Sequence, residues 1–275
     1  MTGASKGIGR ACALRLARAG FRVYAGIRVH ADGDALRAEG GRNVVPLHID
    51  VTDEMTISAA VAFVTSDLGT GALSGLVNNA GLAIAGPLEF LPLAELRRQL
   101  EVNVIGQVAM AQAALPLLRK SRGRIVNMGS IAGRSALPLT GAYAASKHAL
   151  EAITDSMRVE LMPFGVDVII IEPGVVTTPI WETSLAAADK VLSRLPPQVM
   201  QYYGVMIERA KARALGGTAR GLPADAVARV VEHALTARHP RTRYMVGRDA
   251  RVRAWFQRLP DRWRDRIIAR QLARS

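Results

Sequence analysis

The segment Tyr143-Ala144-Ala145-Ser146-Lys147 places a phenol and an ammonium four residues apart. On a helix that spacing puts both side chains on one face. A free phenol titrates near pH ~10 and is no base at neutrality, but a neighbouring cation favours the phenolate and lowers that value. Such a pair can exchange a proton with a substrate oxygen, work typically worth ~10²–10⁴ in rate. In isolation the pattern is more often a packed ring beside a solvated lysine, so the chemistry depends on what converges with it. Ser130 follows the strand-like run Arg124–Met128, at the strand end where α/β sheets bind ligands. Its hydroxyl can donate to the same substrate oxygen. Asn103 falls inside a helical stretch, where an amide is unfavourable unless it finds a partner.

A second constellation opens the chain. Gly3, Gly7 and Gly9 flank Ser5, Lys6 and Ile8 in a Gly-x-x-x-Gly-x-Gly loop that leads into a helix. Glycines let the backbone approach a pyrophosphate, and the free amides and dipole at the helix start favour its charge. The spacing differs from the Gly-x-Gly-x-x-Gly fingerprint.

The elements that must position these residues alternate. Helical pattern covers Gly7 to Ala19, with Gly20 as a left-handed stop, Asp53 to Asp67 with Thr52 as the expected cap, Leu93 to Lys120 with an interruption near Gly106, and Gly141 to Met162. Strand pattern covers Phe21–Ile27, Asn43–Ile49, Leu73–Val77, Arg124–Met128, Val166–Ile171 and Tyr244–Val246. Alternation of this kind predicts an α/β fold, a doubly wound parallel sheet with crossover helices. The regular order stops between Pro179 and Pro223. This apolar insert, about 180–222, reads as a lid, with Gly216-Gly217 as its hinge, or as two packed surface helices. Residues 1–247 form one dinucleotide-binding and catalytic domain on this reading, and 248–275 a basic amphipathic tail.

Taken together, the residues resemble the short-chain dehydrogenase/reductase family. The glycine loop, Asp50 after a strand, Asn78-Asn79-Ala80-Gly81, Asn103, Ser130, Tyr143, Lys147 and Pro173-Gly174 occur in the family's order, over roughly Thr2 to Val246. The resemblance implies a Rossmann-like fold and hydride transfer between a nicotinamide and a hydroxyl or carbonyl carbon. It implies that Tyr143 exchanges the proton, Ser130 orients the substrate oxygen, Lys147 holds the nicotinamide ribose and lowers the Tyr143 pKa, and Asn103 anchors a proton relay through water. Gly3, Ser5, Lys6, Gly7, Ile8 and Gly9 would line the pyrophosphate. Asp50 and Val51 would meet adenine, Asn79, Ala80 and Gly81 would border the cofactor, and Pro173, Gly174, Val176 and Thr178 would reach the nicotinamide side. No metal is expected.

By family alignment the position that normally holds a ribose with a carboxylate is Ile27. Arg28 follows it and Lys6 lies in the glycine loop, so NADP(H) is expected over NAD(H). The family's first strand precedes the glycine loop, whereas here Met1 stands directly before Thr2. That strand sits at the centre of the sheet, and the expectation is that residues upstream of Met1 in the natural reading frame supply it.

The one cysteine, Cys12, excludes an internal disulfide and fits a reducing, cytoplasmic setting. No apolar run approaches the length needed to span a bilayer. The net charge of +13 is concentrated late, twelve arginines against three aspartates from Arg238 onward. Trp255, Leu259, Trp263 and Ile267 recur every four residues, as do Arg258, Arg262, Arg266 and Arg270. Packing on the body or on a second subunit is favoured over membrane-peripheral attachment, and nucleic acid is not expected. The resemblance also suggests a homodimer or homotetramer. The substrate reading is a bulky apolar alcohol or ketone, steroid- or retinol-like. The alternatives are a 3-oxoacyl-carrier-protein-type reductase, or a cofactor-binding scaffold without turnover if the first strand is absent.

Overall fold

The computed structural model describes residues 1–218 and 221–274. Residues 219–220 of the insert and Ser275 of the tail lie outside them. The first half runs α1 (Gly7–Arg18), β1 (Val23–Ile27), α2 (His30–Gly40), β2 (Val44–His48), α3 (Glu54–Leu68) and β3 (Gly75–Asn78). It continues through α4 (Leu93–Leu100), α5 (Gly106–Ser121), β4 (Arg124–Met128), α6 (Gly141–Leu161) and β5 (Asp167–Pro173). The last part comprises β6 (Val176–Thr177), α7 (Ile180–Leu192), α8 (Gln198–Thr218), β7 (Leu222–Pro223), α9 (Ala224–Thr236), β8 (Arg243–Val246), α10 (Arg248–Phe256) and α11 (Asp261–Arg274). This is a Rossmann-like α/β fold, as the alternation predicts. Gly20 takes a positive φ of 89° and stops the first helix. Asp53, not Thr52, caps α3, its carboxylate accepting from the Met55 amide, because the helix starts one residue later than the pattern suggests. The insert is helical, and α8 continues through Gly216 and Gly217, so no hinge lies there.

Every strand pairing is parallel. β3, β4, β5 and β8 form one ladder in that order, and β1 with β2 forms another. Between the two ladders runs the start of the chain. The Met1 ammonium donates to Tyr24 O at 2.7 Å, Gly26 N donates to Met1 O at 2.8 Å, and Ala4 N donates to Gly26 O at 2.8 Å. On the other side Thr2 N donates to Val77 O at 3.0 Å. Beyond Met1 the seam opens into an apolar cavity of about 90 Å³, lined among others by Tyr24, Leu47, Val64, Leu76 and Leu117. Burial pushes the Met1 ammonium down to about 6.

The core lies on both faces of the sheet. Cys12, Leu16 and Ala17 of α1 meet Val227, Val231 and Ala234 of α9 on one face. Met110, Ala114 and Leu118 of α5 cover Ile125 and Val168 on the other. The stretch Leu93–Ser121, 29 residues, is long and apolar enough to cross a membrane by length and composition, contrary to the sequence expectation. Part of its apolar surface packs in this core, with Leu118 fully buried.

A candidate active site of the Tyr-Ser-Lys type

The glycine loop folds against the end of β3. Thr2 is buried and its hydroxyl accepts from the amides of Asn79 and Ala80, both at 3.0 Å. The Asn79 side chain in turn donates to Gly3 O at 2.9 Å. A Cβ on Gly9 would lie 2.0 Å from Gly3 O, so only glycine lets α1 start this close. A Cβ on Gly7 would stand 3.2 Å from Thr178, which brings the segment after β5 onto the same loop. Lys6, at the N-cap of α1, makes no side-chain cap, and the first turn carries no acid. Uncapped amides beside Ser5 and Ile8 suit a pyrophosphate, so the cradle fits a dinucleotide.

The residues expected to meet adenine lie at the ends of β1 and β2. Arg28, exposed, follows Ile27 directly. Asp50 accepts from Thr52 N at 3.0 Å and Thr52 Oγ1 at 2.7 Å. Although its burial opposes this, those hydrogen bonds and the Arg28 charge hold its carboxyl below the ordinary range. Val51 is buried, and a Cβ on Gly106 would lie 2.5 Å from Val51 O, fixing the start of α5 to this loop.

Asn103 finds the partners that its position demands. It lies in a π-helical turn, Glu101–Ile105, between α4 and α5, where a widened turn often marks a functional site. Its Oδ1 accepts from Leu82 N at 2.9 Å, and its Nδ2 donates to Leu82 O at 2.9 Å and Ser146 Oγ at 3.0 Å. The amide thereby ties the loop after Gly81 to α6. Ser130 caps a short 3-10 turn, Ile131–Gly133, its Oγ accepting from Ala132 N at 3.1 Å.

Ser130 stands near enough to the Tyr143 hydroxyl to pull the phenol's pKa down. Lys147 is buried, with Nζ 5.8 Å from the Tyr143 ring centroid and donating to Met128 O at 2.7 Å. Burial pushes the Lys147 ammonium down to about 8. Contrary to the sequence expectation the Tyr143 phenol is held above its ordinary value, because burial outweighs the opposing pull of Ser130 and of the Arg253 charge. Three of the four expected catalytic side chains therefore converge, and Asn103 braces α6 beside them.

Two contributors escaped the sequence reading, and both come from α10. Asp249 Oδ2 accepts from Val175 N at 2.7 Å, and a Cβ on Gly174 would collide with that carboxylate. Pro173, whose register partner is Val246, leads into this bend, and Val176 is buried beyond it. Arg253 Nη2 donates to Ser135 O at 2.9 Å, and Gln257 donates to Ser135 Oγ at 2.8 Å. The signal for Asp249 and Arg253 is absent from local spacing, because they lie about a hundred residues beyond Ser130 and Tyr143. Further along, Trp255 and Trp263 are exposed, so this part of the predicted apolar stripe faces outward. Among the described residues no cluster of His, Cys, Asp and Glu could hold a metal.

The family profile for short chain dehydrogenases matches residues 1–189. Retinol dehydrogenase 5 of Mus musculus is 38% identical over 260 residues, covering 92% of this chain and 81% of that protein. The NADPH-dependent 3-dehydrocapnine reductase of Ornithobacterium rhinotracheale is 34% identical over 278 residues, covering 99% and 96%. Among solved structures, a short-chain dehydrogenase from Streptomyces avermitilis superposes with a TM-score of 0.78 at 26% identity, covering 100% of this chain and 96% of its own. A Burkholderia cenocepacia short chain dehydrogenase in complex with NADP gives 0.72 at 28%, covering 98% and 94%. The chain belongs to the short-chain dehydrogenase/reductase family and is an NAD(P)-dependent oxidoreductase acting on CH–OH or C=O groups.

Proposed function

We propose that the protein uses NADP(H) to interconvert a bulky, apolar secondary alcohol and its ketone, with Tyr143 as the proton-exchanging residue. The observation that carries this reading is the convergence of the buried Lys147 ammonium, 5.8 Å from the Tyr143 ring centroid, with Tyr143 and the neighbouring Ser130. When bound, the nicotinamide supplies the hydride chemistry, and the protein supplies alignment and electrostatics. Ser130 donates to the substrate oxygen and Tyr143 gives it a proton in reduction or takes one in oxidation. Lys147 binds the nicotinamide ribose hydroxyls, and Asn103 steadies α6 and the water chain that reaches bulk solvent. The glycine loop from Gly3 to Gly9 holds the pyrophosphate, with Pro173, Gly174, Val176 and Thr178 at the carboxamide.

Arg28 and Lys6, with Ile27 where a carboxylate would hold a ribose diol, support a 2′-phosphate. The NADPH-dependent relative and the NADP-bound neighbour point the same way. For the substrate, Val191 of α7 packs with Ile84, Leu91 and Ala142, the last beside Tyr143, so the insert closes on the catalytic helix with apolar surface. Retinol dehydrogenase relatives agree. NADPH consumption with a panel of apolar ketones tests the reading: Tyr143→Phe abolishes turnover and Lys147→Met sharply reduces it. NADPH binding without turnover on any carbonyl would favour a scaffold.

Two further readings are part of the proposal. The exposed Ile105 in the turn between α4 and α5, Val159 on α6 and Met162 just beyond it suit a homo-oligomer, checked by light scattering on Val159→Glu. Exposed Trp255, Trp263 and Val252 among tail arginines suit peripheral contact with an anionic bilayer. There, W255A/W263A should lose sedimentation with vesicles yet retain turnover.

A further inference from the structure

One helical turn beyond Lys147 lies a buried charged cluster that the chemistry above does not use. Glu172, on β5, is fully buried and its Oε1 accepts from Arg134 Nε at 2.7 Å. Glu151, on α6, accepts through Oε2 from Arg243 of β8 at 3.2 Å. Arg243 also serves Asp155, at 2.6 Å, and Arg158 grips the same Asp155 oxygen at 2.6 Å. Arg243 Nε stands 3.7 Å from Glu172 Oε1, too far for a good hydrogen bond. The remaining oxygens, Glu151 Oε1 and Glu172 Oε2, are both buried and have no hydrogen-bond partner. The two carboxyl groups lie side by side against one guanidinium, Arg243 Nη2 standing 3.2 Å from Glu151 Oε2 and Nε 3.7 Å from Glu172 Oε1.

Two facing carboxylates repel, and a buried acceptor left without a donor is costly. A single proton between them removes both penalties, turning one group into a donor for the other. We propose that Glu151 and Glu172 share one proton through Glu151 Oε1 and Glu172 Oε2, and that this acid pair keeps Lys147 charged, with Glu151 as a positioning residue.

The neighbours on each element support that role. Lys147 and Glu151 are four apart on α6, on one face. The turn that carries Gly133 presses on this face, since a Cβ there would lie 2.9 Å from Lys147 O and 3.1 Å from Glu151 Cγ. Burial and Glu172 push the Glu151 carboxyl well above the ordinary carboxylate range, with Arg243 opposing. The Lys147 ammonium, which burial pushes down to about 8, is pulled back up by Glu151. As pH rises the pair gives up its shared proton and gains a charge. The new negative charge, one turn away, then holds the lysine proton in place.

The pair can be tested without turnover, on the cofactor-free protein carrying carboxyl-¹³C glutamate. A titration from pH ~5 to ~9 should show a glutamate carboxyl whose midpoint lies above pH ~7, lost in both Glu151→Gln and Glu172→Gln. Each glutamine supplies an N–H in place of the shared proton, so both variants should fold, and either suffices if the other does not. Should every glutamate carboxyl titrate below pH ~6, the shared proton does not exist. The effect on Lys147 rests on the function proposed above. There, Glu151→Gln should move the alkaline limb of the kcat profile about one unit towards acid, with Glu151→Asp restoring part of the shift. An unchanged limb overturns the positioning role. Absence of turnover in the parent enzyme would refute the proposed activity alone, because the carbon titration stands independently.

Discussion

An apolar extension ahead of Met1 should stabilise this chain by about 3–4 kcal/mol at neutral pH, and two features of the sheet seam set the size. The cavity between β1 and β3 measures about 90 Å³, and filling a cavity recovers about 24 cal/mol per Å³, or about 2 kcal/mol. The second feature is the Met1 ammonium, which burial pushes from 8.0 down to about 6. A base whose folded pKa is lowered binds fewer protons folded than unfolded between those two values. Stability therefore rises with pH across that window and is lowest below it. The penalty approaches about 3 kcal/mol in acid and is about half that at neutrality. Converting the ammonium to a peptide bond removes it. The added residues lose backbone entropy of about 1–2 kcal/mol each, which their ladder bonds to β1 and β3 and the burial of alternate side chains offset. The assay is thermal and urea unfolding of three proteins: the parent, a valine-alanine-leucine-valine extension and a serine-aspartate-serine-aspartate extension. The apolar extension should raise Tm by about 10 °C and flatten the rise in stability between pH ~6 and ~8. Equal Tm values for the two extensions would refute the reasoning, because the cavity would then gain nothing from apolar filling.

Other expectations concern single side chains. Replacing Arg253 by Gln removes a cation that lowers the Tyr143 phenol, so the pH profile for alcohol oxidation should move to higher pH, read from kcat/KM. Asn103→Leu deletes three hydrogen bonds in a buried setting and should cost about 2–4 kcal/mol in urea unfolding. Gly9→Ala drives a methyl group into Gly3 O and should weaken NADPH binding at least about tenfold by fluorescence titration, a loss of about 1.4 kcal/mol. Cys12 is buried with its thiol pushed up to about 12, so it should react with a thiol reagent only at the rate of unfolding.

How far the sequence foretold this structure depends on how local each cause is. Tyr143 and Lys147 are legible because four residues of helix place them on one face, and Ser130 because it follows directly on an apolar strand. Gly3, Gly7 and Gly9 are legible because only glycine tolerates the loop. The sheet and its parallel pairing follow from alternation alone. The π-helical turn at Asn103 left only an unexplained polar residue in a helix, a cue that something must receive its amide. Nothing local announces Asp249 beneath Val175, Arg253 beside Tyr143, or Glu172 against Glu151. These are contacts across layers, made by residues whose charges look like ordinary surface charges until the fold removes the water. The lid reading rested on broken periodicity, and the hinge assigned to Gly216-Gly217 failed because the flanking helix formers carry α8 through both glycines.

The carboxylate of Asp249 that receives the Val175 amide makes the order of synthesis consequential. A chain emerging from the ribosome displays its glycine loop, its tyrosine and its lysine long before residue 249 leaves the exit tunnel. Until then the bend after Pro173 has no acceptor for that amide. Nascent chains and fragments ending before α10 should thus expose the dinucleotide cradle while its far rim is unfinished. Protection against protease after Pro173 should come only once residue 249 has left the exit tunnel.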